Sequence, residues 1–420
     1  MTAHPPRNLV LLGGGLAHVH LLARLRQHPL PGVQVTLVTP QIRLVHSGML
    51  AGFVAGHHAQ ADCVTALEPL VQQSGARWVA ARAMALDAQA NALRLDDGSV
   101  LNFDWLSLCQ EPVQDRHALE RALPGAREHG LFVRPLDAFC ALWPRVPELA
   151  AAKALRVAVI GGTGGRGHAE VGAEGGAAHH SELGAEGASK ARSASQPIHR
   201  FADADASDGL AIELALAIRH RLPGSAVTLV TGGAPLVHGC PPMLQKRLAQ
   251  ALRQRNVTVL ADYATHIDSG EITLGSGARL ACDVPLLATR PNAPAWLADS
   301  GLALDGQGWV AVDACGRSTS HANVFAAGPS NAAPALASAR RTHAVAARFA
   351  ANLAAAATGQ SLRPHAPAID PFRLVSCGDG HAIAAWGGYG AQGRWAGWLK
   401  RRMDRVLAAG HRGFEDKKGL

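Results

Sequence analysis

Two places in this sequence put glycines where an apolar strand ends, a pattern suited to holding a phosphate. Gly13-Gly14-Gly15 follow the run Leu9–Leu12, and Gly161-Gly162 follow Val157–Ile160. Gly13 permits a tight turn, and Gly15 lets the main chain approach a pyrophosphate seated on the N-terminus of the next helix. His18 stands where the third glycine of GxGxxG is expected, so looser packing of helix on strand is anticipated there. Thr39-Pro40 end the second strand of the first unit, so it lacks the acidic residue that usually binds a ribose.

The elements around the first turn read as strand (Leu9–Leu12), helix (about Leu16–Gln27) and strand (Val33–Val38). Such Val- and Leu-rich strands without polar alternation suit a parallel sheet buried on both faces. The second unit reads as strand Val157–Ile160, helix Gly209–Leu222 and strand Ala226–Thr231. The Gly-, Ala-, Ser- and His-rich segment Thr163–Asp208 splits its glycine turn and has the composition of a disordered insertion. Removing it restores the usual spacing, with Ala211 near the third glycine position and Glu213 in the first helical turns. No acid follows the second strand at Thr231-Gly232-Gly233. Alternating stretches Ala92–Cys109 and Val257–Thr289 each read as strands around a turn that then return to a main sheet. A long Ala-rich helix is expected over about Ala335–Thr358.

The totals limit what such a chain can do. It has 420 residues, 48% hydrophobic and 17% charged, enough for two or three domains with a sizeable core. A formal charge of +8 favours anionic partners, but the basic residues are scattered without interleaved aromatics, so no nucleic-acid role is expected. Seven cysteines without a CxxC pair argue against a disulfide scaffold and a zinc ribbon. The histidines at 168, 179, 180 and 199 are irregularly spaced, so no metal site is expected. Without a secretory pattern or a long uncharged apolar run, the expected location is cytoplasmic.

In this order the pieces resemble the two-dinucleotide-domain flavoproteins of the pyridine nucleotide–disulfide oxidoreductase superfamily. The likeness is to its type II NADH dehydrogenase and sulfide:quinone oxidoreductase branch, and above all to the flavoprotein module fused to selenide, water dikinase. "LVLLGGGLAHVHLL" resembles the family start GGGHxHV, and "VHSGMLAGFVAGHH" its YSGMLPGxxAGxY stretch. "LLATRPNAPAWLADSGLALDGQGWVAVD" and "CGDGHAIAAWGG…GRWAGWLKRRMDR" resemble its later motifs. The resemblance implies an α/β fold of two Rossmann-like (three-layer ββα) dinucleotide-binding domains, the second inserted in the first, plus a small C-terminal region. It implies FAD in residues 1–112 and 290–365, NAD(P)H as co-substrate in residues 113–289 (with the insertion at about 163–208), and a C-terminal region from 366 to 420.

Residue by residue, it places Gly13, Gly14, Gly15, His18, Ser47, Gly48, Met49 and Gly328 at FAD. It places Gly161, Gly162 and Glu213 at NAD(P)H, and singles out no catalytic residue. Pro329 replaces the family's Asp beside Gly328, and Cys109-Gln110 replaces its Asp-and-glycine turn. The implied reaction passes a hydride from NAD(P)H to flavin and on to a quinone or other small acceptor. The alternative is a degenerate flavoprotein-fold protein acting as a binding or regulatory module. Cys140, Cys315 and Cys377 are the candidates for sulfide chemistry, though none has the context of a redox pair. On a helix, residues 394–414 gather Trp395, Trp398, Leu399, Met403, Val406 and Leu407 broadly on one face. Lys400, Arg401, Arg402 and Arg405 lie around the others, an arrangement suited to peripheral contact with an anionic membrane.

Overall fold

The computed structural model describes residues 6–111, 113–162, 206–233, 236, 240–327, 339–365 and 372–412. Two five-stranded parallel sheets carry the same strand order. The first runs Val324–Ala326, Trp105–Leu108, Arg7–Leu12, Val33–Val38, Arg77–Val79. The second runs Leu131–Phe132, Val284–Leu287, Arg156–Ile160, Ala226–Val230, Val257–Leu260. In each, the strand that enters a glycine turn is central, so the turn opens at the carboxyl end of the sheet.

Each sheet is covered by helices on one face and a three-stranded antiparallel sheet on the other. Helices Leu16–Leu25 and Ala339–Ala357 pack on the first, with Leu9, Leu11, Phe325 and Phe349 in their core. Strands Ala83–Asp87, Ala92–Leu95 and Val100–Asn102 cover its other face, over Val10, Leu12 and Leu106. Helix Ala206–Arg221 and strands Ala264–Asp268, Glu271–Leu274 and Arg279–Ala281 flank the second sheet in the same way. Alternate residues of the central strands feed opposite cores, which explains why those strands read as continuous apolar runs. The three-layer ββα arrangement anticipated from sequence is therefore present twice.

A third sheet, Phe372–Ser376, Ala382–Trp386 and Tyr389–Gly393, is antiparallel and carries the helix Arg394–Arg412. That helix packs Ala396, Leu399 and Met403 over Leu374, Ala382 and Ala384. Several elements differ from the sequence reading. The first helix ends at Leu25, and the Ala-rich helix is described over Ala339–Ala357. The helix of the second unit starts at Ala206, three residues early. The insertion up to residue 205, together with Gly328 and Pro329, lies outside the described residues. Among the described residues, no helix is long and apolar enough to cross a membrane.

Candidate functional site

The two glycine turns are built alike. Gly13 N–H donates to Val38 O at 2.8 Å, and Gly161 N–H donates to Val230 O at 2.9 Å. The next strand closes each turn equivalently, with Cys109 N–H on Leu12 O and Ala288 N–H on Ile160 O, both at 2.9 Å. Gly13 (φ +96°) and Gly162 (φ +76°) hold left-handed backbone that only glycine adopts freely. A Cβ on Gly13 would lie 2.5 Å from Cys109 O, and one on Gly162 would lie 2.6 Å from Thr231 O. Glycine is thus required by the chain's own packing at both turns.

At the first turn, Gly15 N–H is taken by Cys109 O at 3.0 Å. The Cys109 side chain meets the amides of Ala17 and His18 in the first turn of the helix. The Cys109 thiol sits against Gly15, and burial pushes its pKa up to about 11. It is therefore a small neutral filler there, not a nucleophile.

His18 corrects the expectation of loose packing. The side chain is fully buried and links the turn to the neighbouring strand, with Nδ1 2.6 Å from Gly13 O and Nε2 2.8 Å from Ser107 Oγ. Burial, partly opposed by the Gly13 carbonyl, lowers its pKa to about 4. The ring is thus neutral near neutrality, with Nδ1 donating to Gly13 O and Nε2 accepting from the Ser107 hydroxyl. Imidazole supplies here, through two hydrogen bonds, the attachment that a third glycine supplies by contact.

Ser47, Gly48 and Met49 form a single 3-10 turn. Met49 is buried beneath it, whereas Ser47 and Gly48 lie on the surface, leaving main chain accessible to a flat ring. Gly48 O accepts a hydrogen bond from Lys400 Nζ at 3.1 Å. Sequence reasoning missed this residue, because Lys400 was placed on a solvated basic face. Ala396, Lys400, Asp404 and Ala408 instead follow i, i+4 spacing on the inward side of their helix, where Ala396, Asp404 and Ala408 are buried. Trp395, Trp398 and Val406 face solvent, and Arg402 lies over the Trp398 ring.

Lys400 is only 13% exposed and stands 3.1 Å from Asp404 Oδ2 and 3.9 Å from Glu213 Oε1. Burial disfavours its charge, but Asp404 and Glu213 more than offset this and hold the ammonium above its ordinary pKa. Glu213 moves the other way. Burial raises its carboxyl, against the pull of Lys400 and the Ser376 amide, and Asp404 adds to the rise. One ammonium between two carboxylates leaves one negative charge over, and it is Glu213 that is held above its ordinary range. Glu213 Oε1 accepts Ser376 N–H at 2.6 Å. These contacts tie Glu213 to the C-terminal sheet and helix.

A hollow of about 10 Å³, room for about one water, lies beside this cluster. Gly48, His57, His58, Ser376, His381 and Lys400 are among the residues around it. The sulfide candidates Cys140 and Cys377 are buried, and burial pushes both thiols up to about 12. Among the described residues, no group of three or more His, Cys, Asp or Glu could hold a metal ion.

Residues 209–349 match the model of the family described as pyridine nucleotide-disulphide oxidoreductase. The match spans about a third of the chain, and over the whole chain the likeness to solved structures is one of fold. The sulfide:quinone oxidoreductase of the hyperthermophilic bacterium Aquifex aeolicus superposes with a TM-score of 0.72 at 16% identity, covering 97% of this chain and 92% of that one. The NDH2 of Plasmodium falciparum, solved with NADH, gives 0.67 at 10% identity, covering 97% and 98%. The ferredoxin reductase for the CYP199A2 system of Rhodopseudomonas palustris gives 0.62 at 18% identity, covering 90% and 81%. Among curated proteins, none matches the sequence. Proteins of this superfamily bind FAD and take NAD(P)H as substrate.

Proposed function

We propose that this protein is an FAD-dependent oxidoreductase that passes a hydride from NAD(P)H to flavin and then to a small acceptor such as a quinone. The observation that carries the reading is the repeated unit: two sheets of one strand order, each with a central strand that ends in glycines hydrogen-bonded to the strand beside it. One nucleotide per turn is the economical use of such a pair. FAD in the first unit would rest its pyrophosphate on Gly14 and Leu16, with Ser47 and Gly48 available to the ring. NAD(P)H belongs to the second, at Gly161-Gly162. This division places the FAD unit at 1–112 and 290–365, and the NAD(P)H unit at 113–289.

When bound, the flavin supplies a two-electron carrier between reductant and acceptor. The chain's own part is positioning and proton supply. Lys400 fixes the Gly48 carbonyl and keeps a positive charge beside the turn. Glu213 holds a proton in the same cluster, ready for an acceptor that takes up hydride and proton together. Solvent-facing Trp395 and Trp398, with Arg402 and Arg405 on the same helix, suit an anionic lipid surface, where a lipid-soluble quinone is found. Steady-state NADH oxidation with a short-chain quinone tests the acceptor half, and turnover proportional to bound FAD is expected. Flavin that is reduced by NADH but reoxidised by no quinone would remove quinone from the proposal.

A further inference from the structure

The proton-holding cluster is sealed from bulk water on most sides, yet a reaction that consumes its proton must refill it. Asp404 is 6% exposed, and its Oδ2 binds Lys400. His58 is 8% exposed and borders the same hollow, and within the described residues its ring makes no hydrogen bond. Close packing of its ring against Gly52 holds it in place. We propose that His58 and Asp404 form the proton-exchange route that connects the buried Lys400–Glu213 pair to solvent through this hollow. The inference rests on the reading of the cluster as proton donor to the acceptor.

The balance is simple. A carbonyl-type acceptor takes a hydride, which carries both electrons from NAD(P)H, and one proton. An O–H bond forms on the acceptor as the corresponding bond breaks in the Glu213–Lys400 pair. The pair then regains a proton from the His58 imidazolium across the hollow and Asp404, and solvent reprotonates His58. Both residues act through Lys400, so they are positioning residues and not catalytic ones.

The charges around the route bear on its pH range. Lys400, Arg401, Asp404 and Arg405 come from the C-terminal helix, and Glu213 and His220 from the helix of the second unit. His57 and Asp62 flank His58, while Asp379 and His381 approach from the turn between the first two strands of the C-terminal sheet and Arg255 from the end of helix Pro242–Gln254. Burial lowers the His58 pKa, with Asp404 and Asp62 opposing and Arg405 and His57 adding to the fall. Ammonium hydrogens leave to a base, and the neutral His58 imidazole is that base, so exchange should slow toward mild acid as the ring takes up a proton.

Selective 15N-lysine labelling of the full chain, as purified and without NADH, reads this directly. The Lys400 ammonium hydrogens should exchange with solvent in a pH-dependent manner. His58→Gln should slow them about tenfold or more, and imidazole in the buffer should restore the rate. Unchanged exchange in His58→Gln, or slowing that imidazole does not relieve, overturns the route. Because no reductant is present, this outcome is separate from failure of the oxidoreductase reading.

Discussion

Glu213 takes the Ser376 amide hydrogen at 2.6 Å across 163 residues of sequence, tying the helix of the second nucleotide unit to the C-terminal sheet. The same carboxylate faces Lys400, so this tie lies within the proton-holding cluster and not only beside it. Structure and chemistry therefore share one group, and the two roles separate by substitution. Glu213→Gln keeps an acceptor for Ser376 but cannot give up a proton. It should fold with a stability change within about 1 kcal/mol, as expected for retaining one hydrogen bond. Acceptor-dependent turnover should fall while flavin reduction by NADH stays near the wild-type rate. Equal loss in both half-reactions, read by stopped flow, would contradict the assignment.

Lys400→Met leaves two buried carboxylates without their cation. Loss of one partner from a buried ion pair costs about 3–5 kcal/mol. In the variant the Glu213 carboxyl, without the ammonium that pulls it down, should rise further above its ordinary range, so the folded state binds a proton more readily than the unfolded chain. Stability should then recover as pH falls into mild acid. Urea midpoints at neutral pH and in mild acid check this, and a deficit of equal size at both would count against it.

His18 gives a pH signature of its own. Its folded pKa, about 4, is below the ordinary histidine value of 6.5, so between these values the unfolded chain binds the extra proton. The stability from neutral His18 is complete above about 6.5 and is lost as pH falls toward 4. The slope there approaches about 1.4 kcal/mol per pH unit. His18→Gln should remove that slope, and an unchanged acid limb would show that the ring is not the neutral bridge.

The two turns can be told apart by substitution. Gly13→Ala strains a φ of +96° and drives Cβ into Cys109 O, so the variant should purify with little FAD. Gly162→Ala does the same at Thr231 O, so it should keep FAD while losing rapid reduction by NADH. Flavin content and reduction rate measure both, and loss of FAD in both variants alike would contradict the division of labour.

At the surface, replacing Trp395 and Trp398 together by Ala should abolish co-sedimentation with anionic vesicles and leave flavin content unchanged. Equal vesicle binding by wild type and variant would rule out this helix as the contact.

Much of the scaffold was legible because its signals are local. The runs Leu9–Leu12 and Val157–Ile160, the glycines that end them and the strands that follow need few long-range contacts to be recognised. The short strands Leu131–Phe132 and Arg77–Val79 were not, since two or three residues give no period and only the neighbouring strand makes them strands. Lys400 was misplaced because composition treats a charged side chain as solvated, and only tertiary structure supplies Asp404 and Glu213 for it, as it supplies Gly13 O and Ser107 for His18.

The central claim is that one glycine turn holds a flavin and the other holds its reductant. Anaerobic addition of NADH to the purified protein, followed at the flavin's visible absorbance, tests it most directly. The account predicts a yellow protein whose band bleaches within the time of a catalytic turnover and returns when a quinone is added. A protein that binds FAD but keeps its full colour under excess NADH and NADPH would contradict it.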